Sequence, residues 1–215
     1  MNKKIVLGVA TPVLLFGLIG VLHMPIARPV LALIGFGCPV RATPEAVEAA
    51  RLTSARAARG TVASPDRPAL GFVLDTTTRA DVDTWVAAHH LDCTESQAGS
   101  VLRCDRVPAE VLGTPLDDLS FAFAPKTLRL VTVSTLRNQL DAASAASAMN
   151  DITGSLGARL GPGRAVGQPT AIYLAGGELR TALVEYRYSD YIANVSATNL
   201  GGRVAVREHY MSAID

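Results

Sequence analysis

Cys93 and Cys104 stand eleven positions apart with TESQAGSVLR between them. A turn centred on Ala98 and Gly99 sets the two nearly opposite each other on a hairpin, an arrangement in which two thiols can close a disulfide. Bridges persist in oxidising compartments and are rare in cytosol, so the pair predicts an extracytoplasmic domain; two buried free thiols are the alternative. A zinc site would need further ligands. The nearest, His89 and His90, point about 100° apart on a helix and read as surface or partly packed side chains. Asp117 and Asp118 precede a strand and read as a polar turn. No GxSxG, HExxH, Walker loop or dinucleotide-type glycine pattern falls in a convincing context, and no serine sits in a nucleophile turn. The expectation is therefore no catalytic residue, no metal ligand set and no cofactor.

A second concentration of chemistry-bearing side chains lies near the C-terminus. Tyr186, Arg187, Tyr188, Asp190, Tyr191, Arg203, Arg207, His209 and Tyr210 include four of the five tyrosines. Tyr and Arg bury large area while keeping a polar end, which is why they carry many protein interfaces, and these nine are the candidate interface. Strand alternation supplies the competing reading. Tyr186 and Tyr188 share a face with Ala182 and Val184, so the tyrosines belong to a core, and Glu185, Arg187, Arg207 and Glu208 form an ordinary cross-strand ladder.

The elements that position these residues read as an alternation of helices and hairpins. Thr43-Pro44-Glu45 starts a helix with a threonine N-cap and proline at the first helical position, and Gly60 stops it. Its apolar face is mostly alanine, so it reads as a stalk or a late addition to the core. ALGFVLD, with Leu70, Phe72 and Leu74 alternating, predicts a strand. TTTRADVDTWVAAHH predicts a helix capped by Thr78 and Asp81, its Trp85 meeting Phe72. The cysteine hairpin follows, then a second hairpin from LSFAFA and LRLVTVSTL. Residues 138–160 predict a helix with Ala145, Met149, Ile152, Leu156 and Leu160 in one stripe, ended by Gly161-Pro162-Gly163. A weak strand over 170–174, then LRTALVEYRY, DYIANVSAT and RVAVREHY, predict an antiparallel meander. Helix 79–90 and helix 138–160 are each followed by two hairpins, which suggests a duplicated unit with halves 67–137 and 138–215. In element order alone this is similar to beta-lactamase inhibitor protein and to small bacterial outer-membrane assembly lipoproteins, a likeness that carries no functional residue over.

Residues 5–22, IVLGVATPVLLFGLIGVL, are eighteen residues without a charge. That is long enough to cross a bilayer as a helix, and Pro12 is tolerable there. Lys3 and Lys4 before the run favour a cytoplasmic N-terminus and an exported remainder. A cleaved signal peptide and lipid attachment at Cys38 are the alternatives, disfavoured by the lack of small residues spaced for cleavage after Leu22 and by the poor fit of Gly35-Phe36-Gly37. Pro25, Pro29 and Pro39 break up a second apolar patch too short to span. Beyond residue 22 the chain carries 18 basic and 19 acidic side chains. Its arginines are scattered among acids, which argues against nucleic acid. Arg51, Arg56 and Arg59 alone cluster, either as a solvated helix face or facing anionic lipid. With 5% aromatic residues, the core must rest on Ala, Val and Leu.

The expected protein is thus α+β: a cytoplasmic tail and transmembrane anchor over 1–22, a juxtamembrane connector over 23–66, and an exported, mostly antiparallel domain over 67–215. The leading functional expectation is a non-enzymatic, single-pass envelope protein that binds a protein partner on the periplasmic side. A small-ligand or lipid-binding role in the groove between helices and sheet is the alternative, and an unrecognised hydrolase the third.

Overall fold

The computed structural model describes residues 43–214. The segment 5–22, the second apolar patch and Cys38 lie outside the described residues, and no helix among the described residues is long and apolar enough to cross a membrane.

Eight strands form one antiparallel sheet: β1 (Cys93–Ser96), β2 (Val101–Val107), β3 (Leu116–Phe123), β4 (Leu130–Leu140), β5 (Arg164–Val166), β6 (Thr181–Arg187), β7 (Tyr191–Asn199) and β8 (Val204–Ser212). Their order across the sheet is β1-β2-β3-β4-β8-β7-β6-β5. Each half runs outward-in as a meander, and the last strands of the two, β4 and β8, pair at the centre, with Val133 opposite Tyr210 and Thr135 opposite Glu208. The outer strands β1 and β5 are only four and three residues long. Short edges leave little backbone for another chain to pair with.

One face of the sheet carries the helices α2 (Arg79–Ala88) and α4 (Ala142–Leu160), and a one-turn helix, α3 (Ala109–Leu112), links β2 to β3. A row of side chains runs beneath them through Leu102, Phe121, Val133, Tyr210, Ala193 and Tyr186, set side by side by the strand register. Phe121 is fully buried, with Phe72 at 5.1 Å and Trp85 at 6.1 Å between ring centroids. The Phe72–Trp85 contact anticipated from sequence is present at 5.1 Å. Over the other half, Met149, Leu156 and Leu160 of α4 are buried, and Tyr186 Oη donates to the Thr153 carbonyl at 3.1 Å.

Helix ends follow their sequence signals. Thr78 and Asp81 form a reciprocal capping box on α2. Asp141 caps α4 through its carboxylate, which accepts from Ala143 N and Ser144 N, and Gly161, at φ 84°, ends it. Donors left unpaired at a helix start are satisfied in this way, and each good cap stabilises by about 1 kcal/mol.

Four expectations change. ALGFVLD is a loop rather than a strand, because Leu70, Gly71 and Asp75 all take positive φ; Leu74 is buried from a turn. Residues 138–140 continue β4, since the helix cannot begin before its Asp141 cap. Residues Ala171–Ala175 form a short helix, α5, capped by Thr170, and the missing strand is β5 just before it. Finally, the connector expected over 23–66 ends sooner. Helix α1 (Pro44–Ala58) packs across the strand ends on the second face, where Ala55 is buried with Ile192, Met211 and Ala213. Its alanines allow that close approach, and Arg51, held by Glu48 one turn earlier at 2.7 Å, fastens the helix by donating to the Ser212 carbonyl.

Candidate functional site

The structure divides the nine interface candidates between the two faces. Tyr186, Tyr191 and Tyr210 are at most 3% exposed and belong to the helix-covered core, so they are corrected from interface to packing. Their phenols find internal acceptors: Tyr191 Oη donates to the Pro68 carbonyl and Tyr210 Oη to Glu208. Burial pushes both phenols far above their ordinary range, so they serve as neutral donors. Tyr188 and Asp190 are half-buried at a strand end, tied to the Leu160 carbonyl and to Ser64 N respectively. Arg203 is exposed beside the β7–β8 turn and donates to the Gln139 carbonyl at 3.4 Å.

Arg187, Arg207 and His209 remain, and alternation places all three on the face opposite α2 and α4, Arg187 donating to Glu185 Oε1 at 2.7 Å. Beyond the row covered by α1, two rows of that face follow from the register: Arg103, Ser120, Ser134, His209, Asn194 and Glu185, then Asp105, Asp118, Leu136, Arg207, Ser196 and Leu183. Arg207 Nε donates to Ser134 Oγ at 3.1 Å. Arg103 pairs with Asp118, whose carboxyl is nonetheless raised because burial outweighs that partner. Burial and the neighbouring Arg207 charge lower His209 to about 4, so its imidazole is neutral at physiological pH.

The helix-covered face holds a second feature that strand alternation could have revealed. Glu208 lies between Val206 and Tyr210, both core residues, and so cannot join Arg207 in one ladder. Its side chain is 7% exposed and that of Arg137 13%. Glu208 Oε1 accepts from Thr135 Oγ1 at 3.1 Å and from Arg137 Nη2 at 3.4 Å, and Oε2 accepts from Tyr210. Arg137 Nη1 reaches Thr114 Oγ1 at 3.4 Å, while its buried Nε has no partner. This cluster forms the floor of a cleft of about 570 Å³ at the junction of the two half-sheets, beneath the middle of α4. A neighbouring cavity of about 440 Å³ shares Arg137, Thr114, Leu116 and Ala148 with it.

The remaining sequence candidates are placed as follows. Cys93 and Cys104 are register partners with their sulfurs 1.99 Å apart, a disulfide. His89 Nδ1 lies 2.8 Å from the Trp85 carbonyl and its ring packs on Trp85 at 4.6 Å. Asp117 accepts from Asn138 N. Among the described residues no group of three His, Cys, Asp or Glu side chains gathers as a metal site. No protein-family model, no curated protein and no solved structure matches this chain.

Proposed function

We propose that this is a membrane-tethered, exported binding protein, non-catalytic, whose second sheet face, beyond the row covered by α1, docks a protein partner in the cell envelope. One observation carries the reading. An antiparallel sheet can leave one face to water, and the side chains on such a face are then mostly polar. Here half-buried Leu136 and Leu183 stand among Arg207, Arg103, Ser134, Ser196 and a neutral His209. Apolar area beside arginine is a feature that protein-binding surfaces share. The charge-free stretch 5–22 supports a tether, and the disulfide supports an oxidising compartment.

The test is site-specific photocrosslinking in intact cells. A photoreactive residue at Ser196 or Leu183 yields a discrete adduct, and the same residue at Thr84, on the exposed side of α2, yields none. Arg207→Glu combined with Leu136→Asp removes the adduct. Identical adducts at Thr84, or none at the sheet face, overturn the proposal. An alkaline phosphatase fusion after the last residue tests the compartment separately, and an inactive fusion refutes it.

A further inference from the structure

The helix-side cleft lies on the face a docked partner would not touch, and its floor is built unlike the rest of the core. Charged pairs are costly to bury, and apolar residues of like volume commonly serve stability as well or better, so the Arg137–Glu208 pair is not explained by packing. A carboxylate has about four acceptor positions, and Glu208 fills three, with Thr135, Arg137 and Tyr210. Arg137 is under-satisfied from the other direction. Its two Nη bonds are both 3.4 Å, longer than the ordinary range, and its Nε–H has no acceptor. A small turn of the guanidinium toward an oxygen entering the cleft therefore sacrifices little and supplies the missing partner. The floor thus offers one acceptor and one donor side by side. Arg137 and Arg159 balance Asp151 and Glu208 around the cleft, and Arg159 is itself engaged with Asp66 at 2.6 Å. The walls include Leu112, Leu116, Ile152 and Leu156.

We infer that this cleft binds a neutral amide carrying a short branched aliphatic chain. The amide N–H donates to Glu208, its carbonyl accepts from Arg137, and the chain lies against the leucine and isoleucine walls. A small N-acyl amide and a leucine-like residue within a peptide share this chemistry.

The probes are N-(3-methylbutyl)acetamide and 3-methylbutyl acetate, which differ only in exchanging the amide N–H for an ester oxygen. Binding to the full chain in nanodiscs is followed by ligand-observed NMR. The amide binds and the ester binds at least about tenfold more weakly, since a buried acceptor left unpaired disfavours the analogue. Ser155→Trp, placed at the exposed rim, abolishes amide binding while the melting temperature holds; Thr84→Gln on the exposed side of α2 leaves binding unchanged. Tighter binding of N-acetyl-Ala-Leu-Ala-amide than of the small amide assigns the site to peptides, and the reverse to small N-acyl compounds. Equal binding of amide and ester, no binding of either, or amide binding that survives Ser155→Trp overturns the inference. The amide–ester comparison uses the unaltered chain, so it stands even if a variant misfolds, and none of these outcomes depends on the sheet-face partner.

Discussion

Glu208→Leu should be among the most destabilising single substitutions in the described domain. The change removes the carboxylate and leaves the Arg137 guanidinium, 13% exposed, without its counter-charge. Breaking a buried pair from one side costs about 3–5 kcal/mol. Thr135 and Tyr210 also lose the acceptor they share, with each unpaired hydroxyl worth about 1–3 kcal/mol when no water replaces it. At about 2–4 °C per kcal/mol for a domain of this size, loss of the pair alone lowers the melting temperature by roughly 6–20 °C, and the hydroxyls left unpaired add to that. Arg137→Met alone should cost a similar amount, because Glu208 then stays buried and unpaired. The double variant, Arg137→Met with Glu208→Leu, places two apolar side chains over an apolar core and should recover much of the loss. Urea denaturation of the four proteins measures the coupling, which exceeds the cost of one single variant, about 3 kcal/mol or more in favour of the pair, when the double variant recovers the loss. Additive single effects, or a Glu208→Leu cost below about 1 kcal/mol, would show that the two charges do not depend on each other. The reading of the cleft floor would then fail.

Three further outcomes follow from separate features. Reduction of the Cys93–Cys104 bridge opens a loop of sequence separation 11 and should cost about 3 kcal/mol, read from denaturation with and without reductant; free labelling of these thiols in unreduced intact cells would contradict the proposed compartment. His209, lowered to about 4 against an ordinary 6.5, is neutral when folded, so the unfolded chain takes up the proton first as pH falls. Stability should therefore decline from about pH 6.5 to about pH 4 through this group, and His209→Gln should flatten that slope, whereas an NMR titration midpoint near the ordinary value would refute the shift. Thr78→Ala removes half of a capping box and should destabilise by about 1 kcal/mol in thermal melts; no change would mean the Asp81 carboxylate caps α2 unaided.

Local signals were legible wherever a residue's nearest neighbours in the chain determine its backbone. Thr43 and Thr78 cap helices because short polar side chains reach the first free N–H groups, and Asp141 does the same at a start that the apolar stripe alone sets at 138. Gly161 ends α4 because it adopts positive φ freely. The alternation of β6, β7 and β8 likewise specified strands, and the turn at Ala98-Gly99 set Cys93 opposite Cys104. Tertiary packing decided the rest. Leu70 and Leu74 look like strand residues because burial imposes apolar side chains on a turn as readily as on a strand. Nothing local joins β4 to β8, some seventy residues apart, and that pairing alone makes one sheet and brings Thr135 and Arg137 beside Glu208. The tyrosines of β6–β8 advertised an interface by their residue type, but helix α4 covers their face and leaves Arg207 and His209 on the other. Which face of a sheet meets water is set by what packs on it from far along the chain, and composition carries no record of that.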